Sequence, residues 1–83
     1  MDELTLALEQ AQFRLRLPPP AARRRLRRAA GLSQDVIARA LGVSAVTVCR
    51  WERGARTPSR RLTAAYADLL DRLGREVANG GGA

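Results

Sequence analysis

The stretch Leu32 to Gly54, LSQDVIARALGVSAVTVCRWERG, constrains this 83-residue chain more than any other, because two short helical patterns meet there around one glycine. In the first pattern Val36, Ile37, Ala40 and Leu41 fall at the i, i+1, i+4, i+5 offsets of a single helical stripe, with Gln34, Asp35 and Arg39 on the other side. In the second, Val48 and Trp51 stand three apart and form a narrow apolar seam, so that Ala45, Val46, Thr47, Arg50 and Arg53 point elsewhere. Gly42 lies between them, where a left-handed residue ends a helix at little steric cost. Ser33 and Ser44 sit where N-caps are needed. Two helices joined so tightly make a helix-turn-helix arrangement, whose second helix can enter a DNA major groove.

The charge distribution points the same way. Formal net charge is +7, with arginine as the only strongly basic residue type. Pro18 to Leu62 holds eleven arginines against only Asp35 and Glu52, whereas both flanks carry more acids than arginines. A positive field centred on the two-helix unit calls for a polyanionic partner, although an arginine-rich surface that merely keeps a small domain in solution is the plainer alternative.

Around this unit the chain reads as helical throughout. Asp2 to Arg16 predicts a helix with acids in its first turn and Arg14 and Arg16 near its end. Leu4, Leu8, Ala11 and Leu15 share one face of it, with Ala7 and Phe13 nearby. That face is expected to pack on this chain's own core, with a dimer contact or a protein partner as the alternative. Pro18, Pro19 and Pro20 end the helix and form a stiff linker. Ala21 to Ala30 opens the next helix, with Pro20 at its first position and Leu26, Ala29 and Ala30 as a thin apolar face. Arg23, Arg24, Arg25 and Arg28 are either solvated or close to phosphates. Thr57 as N-cap and Pro58 at the first position start a last helix reaching about Val77, with Leu62, Ala65, Tyr66, Leu69, Leu70 and Leu73 on its core face. The expected organisation is an N-terminal helix over 1–17, a proline linker over 18–20, a helical domain over 21–77 and a flexible tail over 78–83.

Several functional classes lose support from composition. The chain has no histidine and one cysteine, Cys49, so no histidine base, activated thiol pair or zinc cluster is expected, nor is enzymatic activity or a cofactor. A single cysteine suits a reducing, cytoplasmic setting. No apolar run approaches the ~18 residues of a membrane span. Gly80, Gly81 and Gly82 form a tail rather than a phosphate loop, because no helix follows them.

The run Leu26 to Ser59, LRRAAGLSQDVIARALGVSAVTVCRWERGARTPS, resembles the phage-repressor and Cro-type helix-turn-helix family, the lambda-repressor-like or xenobiotic-response-element regulators. The Leu-Ser-Gln start, the Leu-Gly-Val-Ser turn, the Trp-Glu pair and the glycine after it recur together at that family's spacing. The resemblance implies an all-α, compact bundle of about five helices, often dimeric on an inverted-repeat operator, to which residues 1–17 add a further helix. It places Ala45, Val46, Thr47 and Arg50 at base-reading positions. It sets Gln34, Ser44, Arg53, Arg56, Thr57 and Arg60 beside DNA phosphates. It makes Arg27 and Glu52 an ion pair tying the first helix of the domain to the recognition helix.

The chemistry of these residues fits those roles. Arg50 can give paired hydrogen bonds to guanine O6 and N7, Thr47 can donate or accept, and Ala45 and Val46 can touch a thymine methyl. Direct hydrogen-bond readout then rests on Arg50 and Thr47, supplemented by DNA shape and backbone contacts. The expected function is sequence-specific double-stranded DNA binding by a transcriptional regulator, a repressor occupying an operator in a bacterial or phage-infected cell. The alternatives are an antitoxin-like interaction module that docks a protein through Leu4, Leu8, Ala11 and Leu15, and a nonspecific nucleic-acid binder.

Overall fold

The computed structural model describes residues 2–8 and 17–80, and all regular secondary structure among them is helical. A helical segment over residues 3–8 precedes α1 (Pro20–Ala29), α2 (Gln34–Leu41), α3 (Ala45–Glu52) and α4 (Arg60–Ala78). α2 packs on α3, and α1 lies across both α3 and α4. The result is the compact helical bundle, built around a helix-turn-helix, that the sequence implies. None of the helices among the described residues is long and apolar enough to cross a membrane.

Each junction has a local cause. Pro20 occupies the first position of α1, where its missing N–H costs nothing, and the Pro19 carbonyl accepts from the Ala22 and Arg23 amides at 2.9 and 3.1 Å. α2 and α3 start in the same way: Ser33 Oγ accepts from the Val36 amide at 3.2 Å, and Ser44 Oγ from the Thr47 amide at 3.1 Å. Gly42 ends α2 at φ +71°, and the Val43 amide reaches back to the Ala38 carbonyl at 3.0 Å, so the turn satisfies carbonyls that the helix leaves open.

The start of α4 departs from expectation. Ser59, not Thr57, is the N-cap, and its Oγ accepts from the Leu62 amide at 3.4 Å. Pro58 is buried outside the helix, and its carbonyl accepts from Thr63 Oγ1 at 3.2 Å. That bond ties Pro58 to the first turn of α4, and Ser59 keeps the extended conformation of a cap. α4 then runs to Ala78, with Asn79 after it.

Ile37, Ala38, Val48, Trp51, Tyr66, Leu70 and Leu73 form one buried cluster. Burying an aliphatic side chain of this size stabilises by about 1.5–3 kcal/mol. Trp51 and Tyr66 stack at its centre with ring centroids 5.1 Å apart. The face of α2 that it buries is rotated from the one the sequence pattern marks: Ala38 is buried, while Val36 and Ala40 are exposed. α2 touches α3 and α4 at once, and the stripe that satisfies both is Ile37, Ala38 and Leu41. In α4 the exchange is similar, with Ala67 buried and Ala65 exposed.

In the segment over residues 3–8, Asp2 caps the first turn by accepting from the Thr5 amide at 2.7 Å, which lowers its pKa. Leu4 and Leu8 are 68% and 56% exposed, so the chain's own core does not cover them, contrary to the first expectation. Ala11 and Leu15 of the same stripe, with Phe13, Arg14 and Arg16, lie outside the described residues, as do Gly81, Gly82 and Ala83.

Candidate nucleic-acid interface

α3 has two sides with opposite surroundings. Val48, Trp51 and Glu52 are buried. Val46, Arg50 and Arg53, at i, i+4 and i+7, are exposed. Val46 keeps 58% of its surface in contact with solvent, an unusual exposure for a β-branched aliphatic residue. Ala45 is half-buried and packs on the core cluster, so it presents less surface than Val46. Thr47 is half-buried at the N-terminal end, where its hydroxyl lies 3.0 Å from Ser44 Oγ.

The inner side is fixed by side chains of α1. Arg27 Nε donates to Glu52 Oε2 at 2.6 Å and Arg27 Nη2 to Glu52 Oε1 at 2.9 Å, a two-point pair, while Arg27 Nη1 donates to the Leu32 carbonyl at 2.9 Å. Gln34 Nε2 donates to the same Glu52 Oε1 at 3.1 Å, so this carboxylate joins α1, α2 and α3. Burial alone would raise the Glu52 pKa, but the hydrogen bonds from Arg27 and Gln34 outweigh it and hold the carboxyl below its ordinary 4.5. The bond to Glu52 in turn raises the Arg27 pKa.

Arg23, one turn earlier on α1, donates from Nη1 to the Trp51 carbonyl at 3.1 Å and from Nε to the Pro18 carbonyl at 2.7 Å. Its guanidinium lies 5.9 Å from the centre of the Tyr66 ring. Desolvation lowers the Arg23 pKa, and burial pushes the Tyr66 phenol up to about 12. Just beyond, Gly54 turns at φ +72°, and a β-carbon there would lie 3.5 Å from Pro20 Cγ. The start of α1 therefore abuts the end of α3.

Beyond Gly54, Arg56 and Thr57 are exposed, as are Ser44 at the head of α3 and Arg60 at the head of α4. Gln34 is half-buried at the start of α2. The family model described as helix-turn-helix domain matches residues 24–79, well over half of the chain. The chain belongs to the helix-turn-helix domain family. This is a DNA-binding family, and no curated relative and no solved structure matches the chain.

For a helix-turn-helix domain, the residue that sequence reasoning treated least adequately is Arg23. It sits in the run RRRLRR as one cation among five, yet Arg23, Leu26, Arg27 and Ala30 fall at i, i+3, i+4 and i+7. All four are half-buried or buried, as are Pro20 and Ala22 at the start of α1, and that stripe is the available signal. Arg24, Arg25 and Arg28 are exposed. The described residues include no group of three or more histidine, cysteine, aspartate or glutamate side chains placed to hold a metal.

Proposed function

We propose that this protein is a transcriptional regulator of the phage-repressor and Cro type that recognises specific double-stranded DNA and represses by occupying an operator. The observation that carries this reading is the pair Val46 and Arg50, exposed together on the outer side of a helix whose inner side is held by Val48, Trp51 and Glu52. A rigid helix with a free outer edge is what major-groove reading requires. Arg50 reads guanine, Thr47 hydrogen-bonds a neighbouring base, and Val46, with Ala45 beside it, touches thymine methyl groups. Gln34, Ser44, Arg53, Arg56, Thr57 and Arg60 hold the sugar-phosphate backbone and set the register. A homodimer on an inverted repeat, working in the cytoplasm at the nucleoid, follows from this reading, and no catalytic step is needed.

Selection of bound duplexes from a random pool tests it. The expected result is an enriched half-site, duplicated at a fixed spacing if the protein binds as a dimer. Equal affinity for random and selected duplexes would reduce the protein to a nonspecific binder. Arg50→Ala is expected to weaken binding to the selected site by about 1–3 kcal/mol while relaxing the preference at one base pair.

A second, compatible reading has one observation in its favour. Leu4, Leu6 and Leu8 are all exposed on the segment before the domain, which suits docking of a protein partner, as in an antitoxin that also binds DNA. A stoichiometric protein that co-purifies with the full chain, and is lost when residues 1–17 are deleted, would support it.

A further inference from the structure

Between α1, the start of α2 and the flank of α3 lies a groove of about 600 Å³. Arg24 and Arg28 border it from α1, Arg53 from the end of α3 and Gln34 from α2, while Cys49 lines its α3 side. The acids at this groove are matched within the protein. Glu52 is taken by Arg27 and Gln34, and Asp35 pairs with Arg39. Arg24, Arg28 and Arg53 are exposed, and no hydrogen bond from them to another described residue is present. Three guanidinium groups therefore border one concave surface; Arg24 acts through space on the Glu52 carboxylate, but the hydrogen bonds of that carboxylate go to Arg27 and Gln34.

We propose that this groove is a second backbone-binding subsite, in which Arg24 and Arg28 join Arg53 in holding phosphodiester groups of the DNA strand beside α1. The inference rests on the DNA-binding reading above and extends the interface to a helix outside the helix-turn-helix. Guanidinium forks suit phosphate oxygens, and charge left uncompensated in a concavity attracts anions more strongly than the same charge on a convex surface. Arg27, in the same run, is excluded from this role because all three of its guanidinium nitrogens already donate, to Glu52 and to the Leu32 carbonyl.

The test is the salt dependence of duplex binding for the full chain and for Arg24→Gln/Arg28→Gln. Each phosphate neutralised contributes about −0.9 to the log–log slope, so the double variant is expected to bind with a slope shallower by about 1.8. Its unfolding midpoint, followed by the fluorescence of the single tryptophan, is expected to stay unchanged. Arg25→Gln/Arg72→Gln removes two exposed charges outside the groove and is expected to move the slope far less. Cys49, the only cysteine, supplies an independent readout: duplex DNA is expected to slow its alkylation by N-ethylmaleimide severalfold.

A wild-type protein that binds duplex while the groove variant keeps the wild-type slope would overturn the subsite and leave the DNA-binding reading standing. Absence of duplex binding by the wild type at low salt would overturn both. Protection of Cys49 by 10 mM inorganic phosphate alone, with no change in slope, would assign the groove to a free anion and overturn the backbone assignment.

Discussion

The two sides of α1 carry the same residue type and do different work. On the inner side Arg23 and Arg27 are withdrawn from solvent, and each is matched to named acceptors: the Trp51 and Pro18 carbonyls for the first, the Glu52 carboxylate and Leu32 carbonyl for the second. On the outer side Arg24, Arg25 and Arg28 are exposed. Charge is the same on both sides, so it is partner and burial that separate an architectural arginine from a surface one. An arginine run thus cannot be assigned one purpose, and each member has to be judged by what accepts its N–H groups.

Substitutions can break this comparison, and the largest effect is expected at Arg27. Arg27→Ala leaves the Glu52 carboxylate buried without its cation, and a loss of about 3–5 kcal/mol is expected in denaturant unfolding followed by Trp51 fluorescence. Arg27→Met/Glu52→Leu removes both charges and should recover most of that loss. A double variant as unstable as the single one would show that the ion pair itself, rather than the avoidance of an orphaned charge, holds the helices.

Arg23→Ala comes next. It strips donors from two carbonyls at the α1 and α3 junctions and is expected to cost about 1–3 kcal/mol in the same assay.

Acid sharpens the contrast further. Because the native Glu52 pKa lies below its ordinary 4.5, the stability this group contributes is complete above that value and is lost as pH falls through the lowered native value. Unfolding midpoints measured downward from pH 6 should therefore fall in that acid range, and fall less steeply in Arg27→Met/Glu52→Leu. Arg25→Ala, on the outer side, is expected to stay within about 0.5 kcal/mol of wild type.

Legibility in the sequence followed the range of the interactions involved. Ser33, Gly42 and Ser44 could be placed because a cap and a left-handed turn depend on atoms a few residues away. The start of α4 is ambiguous in the sequence for a local reason as well: Thr57-Pro58 and Ser59 both offer a cap, and the structure uses Ser59, with the Thr63 hydroxyl bonded to the Pro58 carbonyl. The phase of α2 depended on two neighbouring helices at once, so Ala38 and Ala40, equivalent as letters, ended on opposite sides. At the candidate interface the exposure of Val46 and Arg50 follows from the seam of Val48 and Trp51. The groove could not be read, because it exists only where three helices meet.

α2 and α3 are each eight residues long. Isolated helices shorter than about 12–15 residues are marginal in water, so neither persists without the bundle around it. The outer edge of α3 consequently has no stability of its own and exists only to the extent that the packed core exists. In hydrogen-exchange terms, amides of α2 and α3 are expected to open with the whole domain rather than ahead of it. A substitution anywhere in the core thereby acts as a dose control on the population competent to bind, even when every atom that would meet the ligand is unchanged.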